Sequence, residues 1–235
     1  MLLTLFKPPI IVINYKVYNT SFGLSALSIA RAAEEVSKEV GITIILAPPS
    51  TEIRTLATNV NIPIIAQHVD PVELGAYTGH LPPEAVKEAG AKGFIINHSE
   101  RRLRIDEVAK LIKRAYELDL TTLACADVPE VAAAISILNP DMIAIEPPEL
   151  IGSGIAVSKA KPEIIVKTVS KVREVNKKTT ILTGAGISSA EDVAKAIELG
   201  TSGVLVASAI MKAKEPKKTL EEMAKAAVKA SAIKH

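Results

Sequence analysis

Short runs of β-branched and other apolar residues alternate along the chain with longer stretches whose apolar residues recur at helical spacing. Eight such runs stand out: Ile10–Ile13, Ile42–Leu46, Ile62–Ala66, Phe94–Ile96, Thr121–Cys125, Met142–Ile145, Thr180–Leu182 and Val204–Ala207. Each is too short for a helix and largely apolar, the pattern of a strand buried on both faces of a parallel sheet. Between them, Leu24–Val40 places Leu24, Leu27, Ala30, Ala33 and Val36 on one predicted helical face, with Arg31, Glu35 and Lys38 toward solvent. Val108, Leu111, Ile112, Ala115 and Leu118 form a second stripe, with Asp106 as its expected cap. Pro162 opens a third, carrying Ile164, Ile165, Thr168, Val169 and Val172, and Lys217–Ala232 reads as a terminal helix with its lysines solvated. Gly41, Gly90 and Gly200 stand where helices should end before strands.

Eight strand-then-helix units in 235 residues predict an α/β fold, a single (β/α)8 TIM barrel, with residues 1–235 as one catalytic domain. The competing reading is an open doubly wound sheet. Against it, the first strand is not followed by a Gly-x-Gly-x-x-Gly loop.

Composition narrows the function classes. A net charge of +2 without a concentrated basic stripe gives no reason to expect a nucleic-acid partner. No apolar run approaches a membrane span, so no membrane partner is expected. Lys7, Pro8 and Pro9 precede the first long apolar run, and the expectation is a chain without a signal peptide, placed in the cytoplasm. A single cysteine, Cys125, excludes an intramolecular disulfide framework and a cysteine-built zinc site. Cys125 itself reads as a small buried apolar group.

In a barrel the chemistry lies at the C-terminal ends of the strands. There the apolar runs give way to polar residues: Asn14-Tyr15-Lys16, Gln67-His68-Val69-Asp70, Asn97-His98-Ser99-Glu100, Cys125-Ala126-Asp127 and Glu146-Pro147-Pro148-Glu149. Glu146, His98 and Lys16 suit proton transfer beside a carbonyl: a base, a hydrogen-bond donor to the oxygen, and a cation for an enediolate. Taken singly, such a glutamate is more often an exposed or paired surface group, and such a histidine more often a structural one. Their joint position at strand ends is what points to a site. Small residues in Gly152-Ser153-Gly154, Gly184-Ala185-Gly186 and Ala207-Ser208 allow backbone N–H groups to approach an anion, and the last two follow the strands that bind phosphate in many barrels. His68, Asp70 and His80 lack a ligand-like spacing, and no metal is expected there. Asp127 reads as a helix cap before Pro129.

Taken in order, Asn14-x-Lys16, Asn97-His98-Ser99-Glu100-Arg101-Arg102 and Glu146-Pro147-Pro148-Glu149-Leu150-Ile151-Gly152-Ser153-Gly154 resemble the triosephosphate isomerase family. The resemblance continues through Gly184-Ala185-Gly186-Ile187 and Gly203–Ser208. It implies an isomerase of glycolysis and gluconeogenesis that interconverts D-glyceraldehyde 3-phosphate and dihydroxyacetone phosphate through an enediolate. No metal and no organic cofactor is implied. Glu146 would be the base, His98 the group that polarises the carbonyl, and Lys16 with Asn14 would line the same oxygens. Glu100 would pair with Lys16. The Ile151 and Gly152 amides would belong to a lid over the phosphate, with Gly186, Ala207 and Ser208 completing the cradle. Longer members carry Pro-Val-Trp where this chain has Pro147-Pro148-Glu149, a serine in place of Gly186, and Gly-Gly in place of Ala207-Ser208. These departures are similar to the compact archaeal branch of the family. That branch implies a homo-oligomer, a tetramer, with Thr78 in the Gly75–His80 loop reaching a neighbouring subunit and with faces around Leu103–Ile112 and Val128–Leu138 as a further contact.

Overall fold

The computed structural model describes residues 6–147 and 160–233. Seven parallel strands form one sheet: β1 (Ile10–Asn14), β2 (Thr43–Ala47), β3 (Gly93–Ile96), β4 (Thr121–Ala126), β5 (Met142–Ile145), β6 (Thr180–Thr183) and β7 (Gly203–Val206), in the order β2-β1-β7-β6-β5-β4-β3. The Ile62–Ala66 run, predicted as a full strand, makes two single-residue bridges instead, Leu46 to Ile64 and Ala66 to Phe94. Pro63 has no N–H to donate, but its carbonyl accepts from Leu46 N at 2.9 Å. Ile65 N donates to Leu46 O and Ile95 N to Ala66 O, each at 2.8 Å. This run therefore joins β2 to β3 and closes the ring as its eighth stave.

Outside the sheet lie α1 (Gly23–Val40), α2 (Ile53–Asn59), α3 (Pro83–Glu88), α4 (Ile105–Glu117), α5 (Pro129–Ser136), α6 (Pro162–Val175), α7 (Ala190–Glu198), α8 (Ser208–Met211) and α9 (Pro216–Ala232). Of the predicted stripes, Val108, Leu111, Ile112 and Ala115 are buried on α4 and Ile165, Thr168 and Val172 on α6, while Leu118, Ile164 and Val169 are half-buried. The stripe of α1 is rotated: Ala26, Ile29, Ala30, Ala33 and Val36 are buried, and Leu24 is 87% exposed. Alanines let the helix backbone approach the sheet closely, so the face richest in them packs inward. Gly41, Gly90 and Gly200 all have positive φ at their helix ends. Two expected caps have other partners. Asp106 pairs with Arg104 Nε at 3.0 Å, while Glu107 accepts the Arg104 N–H at 2.8 Å and so caps α4. Asp127 pairs with Arg102 Nη1 at 2.8 Å, and α5 has no side-chain cap. In both cases a neighbouring guanidinium is the stronger partner for the carboxylate.

Strand side chains alternate, and here they split the core into two layers. Ile11, Ile13, Ile44, Leu46, Phe94, Ile96, Ala124 and Ile143 face the helices. Ile10, Val12, Ile45, Ile65, Ile95, Leu123, Cys125, Met142, Ala144, Leu182 and Leu205 fill the barrel interior. No helix among the described residues is long and apolar enough to cross a membrane.

Leu182 has no exposed surface, so Leu182→Ala leaves a void that the surrounding strands cannot collapse to fill. It should lower the unfolding free energy by about 2–5 kcal/mol. Leu24→Ala should change it by no more than about 0.5 kcal/mol. Urea denaturation of both variants measures the contrast.

Candidate active site

The inward register of each strand, continued by two residues, reaches the mouth of the barrel. Ile10 and Val12 are followed by Asn14, Ile65 by Gln67, Met142 and Ala144 by Glu146, Leu182 by Gly184, and Leu205 by Ala207. Asn14 and Glu146 are both buried. His98 departs from this parity because Asn97 has φ +59°, a left-handed turn that re-aims the chain. Asn97 is held there by its own side chain, which donates to Cys125 O at 3.0 Å and accepts from Leu103 N at 3.0 Å.

Lys16 follows with φ +48°. That conformation costs a non-glycine residue on the order of 1–3 kcal/mol. Side chains fix it from both sides: Asn14 Oδ1 accepts the Lys16 N–H at 3.0 Å, and Gln67 Nε2 donates to Lys16 O at 3.0 Å and to Ala47 O at 2.9 Å. Its ammonium lies 2.8 Å from Glu100 Oε1. Glu100 also donates its backbone N–H to His98 Nδ1 at 3.2 Å, which makes Nδ1 the accepting nitrogen and leaves the ring proton on Nε2. Nε2 lies 3.4 Å from Glu146 Oε1.

Glu146 is 3% exposed, and its Oε2 has no hydrogen-bond partner among the described residues. The space for it comes from Gly184, where a Cβ would lie 2.6 Å from Glu146 Cγ and 3.0 Å from Cδ. Burial pushes the Cys125 thiol well above its usual pKa, and the charge of Glu146 adds to this, so the thiol stays protonated and hydrogen-bonds the carboxylate. For His98, burial works against the imidazolium, but the hydrogen bond to Glu146 and its charge outweigh burial and raise the pKa above 6.5. The Glu100 amide opposes that rise by requiring an unprotonated Nδ1.

One cavity joins Asn14, Lys16, His98 and Glu146 to Gly186, Ser188, Ala207 and Ser208 after β6 and β7, with Tyr18 in its wall. Gly186 has φ +70°, a conformation that suits glycine. Asn14, Lys16, His98, Glu146, Gly186, Ala207 and Ser208 thus share one cavity, and Glu100 adjoins it through Lys16. Ile151 and Gly152 lie outside the described residues. Thr78 is exposed and apart from this cavity; Gly79 and Leu81 instead border a second one beside Lys16, with Gln67 and His68. Asp70 holds the neck of that loop, accepting Leu81 N–H at 2.7 Å and pairing with His68 Nε2 and Arg101 Nη2, each at 3.2 Å. Sequence reasoning missed Gln67, Tyr18, the Cys125 contact and the spacing role of Gly184. For Gln67 and Gly184 the inward parity is the signal that could have found them.

Comparisons with known proteins find relatives of this chain. The family described as triosephosphate isomerase matches residues 9–227. The triosephosphate isomerase of Methanothermus fervidus is 52% identical over 215 residues, covering 92% of this chain and 97% of that protein. That of Saccharolobus solfataricus is 51% identical over 224 residues, 95% of this chain and 98% of its own. In structure, the Bartonella henselae triosephosphate isomerase superposes with a TM-score of 0.75 at 19% identity, covering 94% of this chain and 99% of that one, a likeness of fold.

The pairing of His98 with Glu146 has a titration signature. Its contribution to stability is present in full below the unfolded-state value of 6.5 and is lost as pH rises through the raised folded-state value. An NMR titration should place the His98 midpoint above 6.5. In Glu146→Gln, burial and the Lys16 charge then dominate, and the midpoint should fall below 6.5.

Proposed function

The chain belongs to the triosephosphate isomerase family, and we propose that it interconverts D-glyceraldehyde 3-phosphate and dihydroxyacetone phosphate. The observation that carries the reading is a buried carboxylate with an unpartnered oxygen, 3.4 Å from the Nε2 of a histidine and in one cavity with a lysine. Glu146 removes the proton from the carbon beside the carbonyl and returns it to the neighbouring carbon. His98 donates its Nε2–H to the oxygen where charge develops, and it relays the hydroxyl proton that must pass between the two oxygens. The Lys16 ammonium offsets the charge of the enediolate, and Asn14 orients the same oxygens. Glu100 holds Lys16 and, through its amide, the His98 tautomer. The backbone amides of Gly186, Ala207 and Ser208 receive the phosphate, joined by those of Ile151 and Gly152. The reaction moves protons alone and uses no cofactor. As a step of glycolysis and gluconeogenesis, it places the protein in the cytoplasm.

Assembly belongs to the same reading. Leu74, Tyr77 and Thr78 stand exposed on the 71–81 loop, and the second cavity beside Lys16 offers a pocket for a neighbour's loop tip. Ile105 and Tyr116 on or near α4, with Val128 and Ile137 flanking α5, are exposed apolar groups that support a further contact and hence a tetramer.

A coupled assay with glyceraldehyde 3-phosphate tests the activity; no turnover by the pure protein would overturn it. Glu146→Gln should lower kcat by about 10²–10⁴-fold with the fold intact, because the near-isosteric change removes only the base. His98→Gln should lose less, roughly 10–10²-fold, since an amide N–H still donates to the oxygen.

Thr78→Arg would bring an unpaired charge toward the Lys16 ammonium of a neighbouring copy. Light scattering should show smaller particles, and the same samples should lose activity. A monomeric variant with full activity would show that the neighbour takes no part in shaping the site.

A further inference from the structure

A triose phosphate carries close to two negative charges, and among the described residues the end of the cavity proposed to receive them holds no cation. Gly186, Ser188, Ala207 and Ser208 offer amides and hydroxyls. Lys16 is the cation among the described residues that line this cavity, and Glu100 lies 2.8 Å from its ammonium. A buried carboxylate, Glu146, shares the same space. Among the described residues, positive potential beyond that of these amides and of Lys16 would have to come from outside the lining.

The structure points to Lys212 as that source and to Tyr18 as the group that holds it in place. Lys212 lies four residues beyond Ser208 and donates its backbone N–H to Ser208 O at 3.0 Å. Its ammonium sits 4.8 Å from the centroid of the Tyr18 ring, an attraction between a cation and the negative face of an aromatic group. Tyr18 is half-buried and lines the cavity. A separate bond fastens the two segments together: Thr20 Oγ1, two residues from Tyr18, donates to Met211 O at 2.7 Å, one residue before Lys212. The ring gives a long, flexible side chain a preferred resting place against the part of the cavity wall that Tyr18 forms. We infer that Tyr18 and Lys212 form a binding pair for the phosphate of the substrate, Lys212 supplying charge and Tyr18 fixing where that charge stands.

This rests on the reading that the substrate is a phosphate ester, and inorganic phosphate serves as the probe because its binding does not require turnover. Calorimetry should give a Kd for inorganic phosphate about threefold to tenfold weaker in Lys212→Gln, with KM for glyceraldehyde 3-phosphate raised by the same factor and kcat little altered, as for a contact equal in ground and transition states. Lys212→Arg should restore both. Tyr18→Leu should reproduce the loss, and the double variant should be no worse than the weaker single one, because the two act as a unit. Raising the salt concentration should narrow the gap between wild type and Lys212→Gln. Lys214→Gln removes an exposed charge two residues away and should leave the phosphate Kd unchanged. An unchanged Kd in Lys212→Gln, or an equal loss in Lys214→Gln, would overturn the pair. A Lys212-dependent Kd in a protein without isomerase turnover would sustain the pair and overturn the proposed reaction.

Discussion

The structure depends on closing a parallel sheet whose inner face repeats every two residues. Closure removes the sheet edges, and it forces one side chain in two from every strand into a space with no water. That space is filled by Ile10, Val12, Ile45, Ile65, Ile95, Leu123, Leu182 and Leu205. Because the repeat has a fixed parity, the next inward residue on each strand emerges at the mouth. Asn14, Gln67, Glu146, Gly184 and Ala207 occupy those positions, so the packing that stabilises the barrel also aims its polar groups at one another. A weak join lies at the Ile62–Ala66 run, which has two single-residue bridges in place of a ladder. There Gln67 adds side-chain bonds to Lys16 O and Ala47 O, tying three strand ends together.

Parity alone would turn His98 away from the mouth, and local strain at Asn97 corrects this; Lys16, of inward parity, is itself strained. Asn97 and Lys16 have positive φ, which non-glycine residues avoid. Each is held by a side-chain amide bonded to backbone: Asn97 to Cys125 O and Leu103 N, Lys16 by Asn14 and Gln67. The strain turns the chain so that His98 meets Glu146 and Lys16 meets Glu100. Lys16, Glu100, His98 and Glu146 are thereby linked in series.

Most of this architecture was legible in the sequence, because a strand end is visible as the point where an apolar run stops. Asn14, Lys16, His98 and Glu146 could be picked out for that reason, and they do share a cavity. What was not legible depends on neighbours in space. The eighth run looks as apolar as the others, but Pro63 lacks a donor and the ladder fails there. Leu24 fits a helical stripe, yet the alanine-rich face of α1 approaches the sheet more closely and leaves Leu24 in solvent. Asp106 and Asp127 stand where caps belong, but Arg104 and Arg102 compete for them. Gly184 reads as a turn glycine or an anion loop, and only packing reveals that its missing side chain is the space into which Glu146 fits.

The pairing of Lys16 with Glu100 rather than with Glu146 resolves a conflict within the proposed reaction. A buried carboxylate is most stable beside a cation, but a direct lysine partner would favour its ionised form so strongly that it would become a poor base. Glu100 takes the ammonium at 2.8 Å instead. Glu146 is left with a histidine nitrogen and a thiol, and with Oε2 free among the described residues. A buried acceptor without a donor costs about 1–3 kcal/mol of stability. That cost is spread over a core of two complete layers, which can bear it. In return, the carboxylate keeps an unsatisfied oxygen, with Gly184 on one side and His98 on the other, as the proposed reaction asks of its base.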